Sequence, residues 1–168
     1  MNEKVKTLEF FRDNLKITGI KLPVEVNMAF YNGPKWVEPG DSFDIITSSL
    51  NNGVTWRVLI NTVEVANTFS EYDSNIVREK WKELSRKYPH ELLVRECDIP
   101  FLHIYHSIKL FNEETKEYEG KSHIKFFAYD KNGVLIPSGD EAYEKDSEGY
   151  QIYDNEFEYL WENSKEIL

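Results

Sequence analysis

The side chains best suited to chemistry lie in one stretch of the second half of the chain: Glu96, Cys97, Asp98, His103, His106 and His123. Histidines three apart, such as His103 and His106, share a face on a helix but point to opposite faces on a strand. In "LHIYHSIKL" the apolar Ile104 and Ile108 fall on the His106 side, so the period is that of a strand. The two imidazoles therefore cannot share a metal, and His106 is expected to sit on an apolar face. His103 and His123 could be cross-strand neighbours, but two histidines without a third ligand make a poor zinc site. No metal and no cofactor are expected.

Cys97 is the only cysteine, which excludes an intramolecular disulfide and a multi-cysteine zinc site. As a nucleophile it would need a lowered pKa, whereas the acids at 96 and 98 push a thiol the other way. The chain has no GxGxxG after a strand, no phosphate loop, no GxSxG, no HExxH and no CxxC. No catalytic residue can be assigned from motif alone. With 30 acids present, a pair of carboxylates at glycosidase spacing carries no information either.

A second pattern is electrostatic. In "DNEFEYLWENSKE", Asp154, Glu158, Glu162 and Glu166 recur every four residues, which on a helix stacks four like charges on one face. The net charge is −10, and residues 137–168 carry −8 of it. Asp140, Glu141, Glu144, Asp146 and Glu148 precede the stripe, and Tyr159 lies within it. Such a surface is unsuited to phosphate backbones and suited to a basic protein, with tyrosines adding contact area. Arg78, Lys82 and Arg86 form a matching basic stripe that could pack against it. In "FYNGPKWVEPGD", residues 30–41, Tyr31 and Trp36 are possible loop contacts for a partner, although the preferred reading of Trp36 is that it plugs the core beneath its own loop.

These residues need a scaffold. Val5, Leu8, Phe11 and Leu15 have helical spacing, with Asn2 as a possible cap and Gly19 as the stop. Residues from Ile20 to Phe30 alternate as a strand. "SFDIITS" reads as a second strand, and "LNNGVTW" as a tight hairpin leading into "VTWRVLINTVEV". "SEYDSNIVREKWKELSRKY" returns to helical spacing through Val77, Trp81, Leu84 and Tyr88. A long extended stretch broken by Pro100 follows, and then two strands joined by "DKNG". Residues 137–150 read as an acidic loop, and a last helix starts near Asp154 and buries Phe157, Leu160, Trp161 and Leu168.

The expected fold is α+β, in the order α-βββ-α-ββ(β)-α. Its sheet would be mostly antiparallel, with N-terminal, central and C-terminal helices on one face. One domain over residues 1–168 is expected, with 137–168 as its acidic loop and helix. The hydrophobic fraction of 40% is enough for a core. The first fifteen residues lack a signal-peptide pattern, and no apolar run is long enough to span a bilayer. A cytoplasmic location is therefore expected.

The profile is similar to that of many immunity proteins, antitoxins and phage-borne inhibitors of host defence. It implies a binding protein that inhibits or sequesters a basic, nucleic-acid-acting partner, without touching nucleic acid or membrane itself. The alternatives are a small-molecule-binding or enzymatic domain with a pocket near His103, His106 and His123, and a structural homo-oligomeric subunit. The oligomeric state is open.

Overall fold

The computed structural model describes residues 3–15, 24–112 and 114–168. Asn2, Gly19 and Ile20, read above as a cap, a helix stop and a strand start, lie outside them. The elements run α1 (Glu3–Leu15), β1 (Val24–Phe30), a 3-10 turn (Pro34–Trp36), α2 (Asp41–Asn51), β2 (Thr55–Asn61), α3 (Val63–Phe69), α4 (Ser74–Lys87) and β3 (Leu92–Cys97). They continue with β4 (His103–Asn112), β5 (Glu117–Tyr129), β6 (Leu135–Glu144), α5 (Glu148–Glu162) and β7 (Lys165–Glu166).

All seven strands form one sheet in the order β6-β5-β4-β1-β2-β3-β7. The α+β class holds, and the sheet is mixed. β1, β2 and β3 are parallel to one another, while β4, β5 and β6 extend the sheet antiparallel on one side and β7 on the other. Parallel neighbours need crossovers, which α2 supplies between β1 and β2, and α3 with α4 between β2 and β3.

The helices cover both faces rather than one. α1, α2 and α4 pack on the face carrying Val26, Met28, Trp56, Val58 and Ile108, with Phe11, Ile46, Leu50, Val77 and Trp81 in the same core. α5 packs on the opposite face through Phe157 and Leu160, against Ala29, Leu59, Tyr105 and Ile124. Because α4 and α5 lie on opposite faces, the basic stripe cannot meet the acidic one. Arg78 instead makes two 2.8 Å hydrogen bonds to Glu96, and Lys82 pairs with Glu79 at 2.9 Å.

Three further segments depart from the sequence reading. "SFDIITS" lies in α2, where Phe43, Ile46, Thr47 and Leu50 have helical spacing. Its β-branched pair Ile45-Ile46 imitates a strand, but the face at 46 and 50 is what packs. The Asn-Gly pair ends that helix instead of closing a hairpin: Gly53 has φ 82°, its N–H reaches the Leu50 carbonyl at 3.0 Å, and Val54 N–H reaches Ser49 at 3.1 Å. The left-handed conformation that suits a hairpin turn equally suits a helix C-terminus. Residues 137–144 are strand rather than loop, because the 13-residue β5 supplies a ladder for them, with a register shift opposite Phe126 and Phe127. The "DKNG" hairpin forms as read, with Asp130 Oδ1 accepting from Asn132 and Val134 N–H groups at 2.8 and 2.9 Å.

Candidate functional site

The strand register brings two of the histidines together. β4 and β5 place His106 directly opposite His123, so the rings share a face and stack at 5.8 Å between centroids and 15° between planes. His103 is opposite Phe126 instead, and its ring turns to the other face, where it meets Glu156 at 3.1 Å and Tyr153 edge-on. The separation of His103 from His106 is as read from the sequence. The pairing of His103 with His123 is not observed, because it would have needed a register three residues away.

Two residues after His123, Lys125 returns to the same face of β5. Across the next ladder Asp140 of β6 stands opposite Lys125, and its carboxylate reaches diagonally to His123 Nε2 at 2.7 Å. A carboxylate only accepts, so Nε2 carries a proton, and in the neutral ring Nδ1 is the basic nitrogen. Nδ1 of His123 and Nδ1 of His106 are both buried without a hydrogen-bond partner, as is Oγ1 of Thr7 on α1. An unpartnered buried polar atom is uncommon and calls for an explanation. Two such nitrogens on neighbouring stacked rings constitute the main anomaly of this face.

A cleft of about 400 Å³ opens beside His106, with Phe30, Asn32, Trp36 and Lys125 also among its walls; His123 and Asp140 lie next to it and are not part of its lining. It lies at the C-terminal end of β1, the strand from which the parallel and antiparallel halves of the sheet diverge. Open mixed sheets bind ligands in such crevices at strand carboxyl ends. Asn32 is held there by hydrogen bonds to Ser70 and Ser74 at 2.9 and 3.2 Å, and its carbonyl accepts from Trp81 Nε1 at 2.8 Å. The cleft wall is thereby tied to α4.

Burial holds the His106 pKa well below the usual histidine value, and the nearby charges of His123 and Lys125 push the same way. His106 is therefore a neutral imidazole at pH 7, able to take part in a hydrogen bond but resistant to protonation. An anion in the cleft would oppose the Lys125 field and raise that pKa again.

The other residues singled out by sequence are dispersed. Asp154 and Glu158 turn toward the sheet: Asp154 pairs with Lys109 at 2.9 Å, and Glu158 takes a bidentate contact from Arg57 at 2.5 and 3.1 Å. Glu166 is not on the helix at all but on β7, 3.9 Å from Arg95. The four acids therefore do not make one exposed stripe. Glu162 and Tyr159 are exposed on α5. Asp146 and Glu148 are exposed around its start, while Glu141 bonds Tyr143 and Glu144 lies 3.7 Å from Lys121. Trp36 is in the core, 7% exposed, between Phe11 and Trp56, so it is not a loop contact. Tyr31 is half-buried and stacked on Phe69. Leu168, read as buried, is 62% exposed. Cys97 is buried, its thiol pushed up by burial and by Asp98 despite a backbone hydrogen bond from Ile99.

Lys125 and Asp140 were not read as partners of the histidines. The first was legible, since "HIK" on an alternating strand puts an imidazole and an ammonium on one face. The second depended on a hairpin register with an irregularity in it. Among the described residues, no three His, Cys, Asp or Glu side chains converge as a metal site, and no helix is long and apolar enough to cross a membrane.

No family model matches the chain, and no curated protein matches it. Among solved structures the chain is similar to NucT from Helicobacter pylori, with 13% identity, a TM-score of 0.46, and coverage of 95% of this chain and 92% of that one. A likeness of that size carries neither a mechanism nor a substrate.

Proposed function

We propose that the protein is a hydrolytic enzyme acting on an anionic ester, with a phosphoester as the preferred class, at the cleft beside His106 and His123. The observation that carries this reading is the dyad of His123 and Asp140, 2.7 Å apart, with Lys125 on the same face. A carboxylate-held imidazole has a defined basic nitrogen. An ammonium beside it suits the charge on phosphoryl oxygens, which catalysis must neutralise in the transition state. Nδ1 of His123 takes a proton from water as the water oxygen bonds phosphorus. Lys125 holds the non-bridging oxygens, the P–O bond to the leaving group breaks opposite the new one, and the leaving oxygen takes its proton from solvent while the imidazolium afterwards releases its own. His106, neutral and in the cleft wall, offers the phosphoryl group a further polar contact.

The test is turnover of p-nitrophenyl phosphate and bis(p-nitrophenyl) phosphate by the native protein and by His123→Ala, Asp140→Asn and Lys125→Met. Loss of a proton-transfer group is expected to lower the rate by about 10²–10⁴-fold. Absence of turnover by the native protein on both substrates, or unchanged rates in all three variants, refutes the reading.

A second reading, docking of a basic protein, is supported by the exposed acids Asp146, Glu148 and Glu162 beside the 60% exposed Tyr159. Asp154 and Glu158 are engaged internally and fall outside that surface. Changing Asp146, Glu148 and Glu162 to Lys should abolish capture of a basic partner at physiological salt. Unchanged capture by the folded variant removes this reading.

A further inference from the structure

His123 is almost fully buried, yet its strand and cross-strand neighbours are not. Lys121 and Ala142 on the same face are exposed, and Lys125 is half-buried. Among the described residues, two ring contacts account for the burial of His123. One is His106, stacked on one side. The other is Phe10 of α1, whose ring stacks on His123 at 5.6 Å and 27°. Phe10 packs on the edge of the core from a half-buried position and is not the deepest anchor of α1. Leu8 and Phe11 lie deeper: Phe11 is fully buried, stacked on Trp56 and edge-on to Trp36 and His106. Phe10 lies beside them, half-buried, edge-on to Phe11.

We infer that Phe10 is a gate over His123: its ring closes the basic nitrogen off from solvent and from the adjoining cleft, and swings aside to admit the reacting group while Leu8 and Phe11 keep α1 in place. The inference deepens the hydrolytic reading, which needs Nδ1 of His123 to be reached, and explains why that nitrogen is buried and unpartnered in the closed arrangement. A side chain on a helix flank can change rotamer without unpacking the helix. An aromatic contact of this kind is strong enough to hold the site closed by about tenfold.

Carbethoxylation of histidines by diethyl pyrocarbonate, followed residue by residue with mass spectrometry, tests the gate without any substrate. In the native protein His123 is expected to react far more slowly than the exposed His90. Phe10→Ala should speed His123 by about tenfold, as the open fraction rises, and leave His90 and His103 unchanged. Phe10→Trp, which keeps a flat cover, should remain slow. If the alanine variant does not stay folded by circular dichroism, Phe10→Leu, which keeps an apolar side chain but no flat ring, is read in its place and should also speed His123. The inference is overturned if His123 in the native protein reacts as fast as His90, or if removing the ring leaves its rate unchanged. Faster modification of His123 in a protein that hydrolyses no phosphoester leaves the gate standing and removes the hydrolytic reading.

Discussion

Removing Arg57 should loosen α5 from the sheet, and the size of the effect follows from how its guanidinium is held. Arg57 bonds Glu158 through both terminal nitrogens at 2.5 and 3.1 Å, Glu25 at 3.0 Å and Asn27 Oδ1 at 2.9 Å. It also lies over the rings of Phe157 and Trp161 at 5.1 and 5.3 Å. Its side chain is 16% exposed and that of Glu158 is 39% exposed. An exposed ion pair contributes about 0–1 kcal/mol and the breaking of a buried one costs about 3–5 kcal/mol. This pair lies between those limits, so Arg57→Met should cost about 2 kcal/mol. For a chain of this length that lowers Tm by about 4–8 °C. Glu158→Gln should cost about half as much, since Glu25 still neutralises Arg57, and a double-mutant cycle should give a coupling near 1 kcal/mol.

The pH dependence of that coupling has a definite sign. The hydrogen bond from Arg57 holds the Glu158 carboxyl below its ordinary value, against the opposing effect of burial, with the charges of Arg57 and Lys109 adding to it. The stabilisation is therefore complete above the ordinary carboxylate value of 4.5 and is lost as pH falls through the lower folded value. Urea titrations of the four proteins of the cycle at pH 7, repeated in acid, measure it. A coupling below about 0.3 kcal/mol at pH 7, within the error of independent sites, would refute this account and return Glu158 to the pool of free surface acids.

Three other outcomes test the packing and the site. Gly120→Ala should cost about 1–3 kcal/mol in a denaturant titration, because a Cβ there would lie 2.4 Å from the Tyr150 hydroxyl; Tyr150→Phe in the same chain, which removes that closest atom and keeps the buried ring, should recover part of the loss. Gly53→Ala should cost about 1–2 kcal/mol from backbone strain alone, since its φ is +82° and nothing lies within 4 Å of the added carbon, and Gly53→Asn should cost less by thermal melting. His106 is buried neutral, so acid should destabilise the fold: stability should fall below pH 6.5, the value for an unperturbed imidazole, by up to about 1.4 kcal/mol per pH unit. His106→Leu should flatten that part of the stability profile.

Much of the frame was legible in the residues. Periodicity located α1, α4, the "DKNG" hairpin and the strand character that sends His103 and His106 to opposite faces, and it found α5 but began it near Asp154 where the helix starts at Glu148. These are local properties, set by side-chain spacing and turn chemistry within a few residues. Where two local structures share one signal, the residues were ambiguous. Ile45-Ile46 suits a strand as well as a helix flank, and Asn52-Gly53 suits a hairpin as well as a helix end. Only the packing of Ile46 and Leu50 against the sheet resolves them.

The sequence by itself determined the α+β class, a core rich in aromatics, and the concentration of acid in the last fifth of the chain. Tertiary structure decided what those acids and histidines do. Spacing placed Asp154 and Glu158 four apart on a helix, but which way that helix face turns depends on Phe157 and Leu160 seeking the sheet, and it turned the acids inward to Lys109 and Arg57. Spacing likewise put His123 and Lys125 on one strand face. The neighbour of His123 was fixed by ladder register between strands 17 residues apart at the contact with Asp140, and a one-residue slip in that register would have sent the carboxylate to the other face.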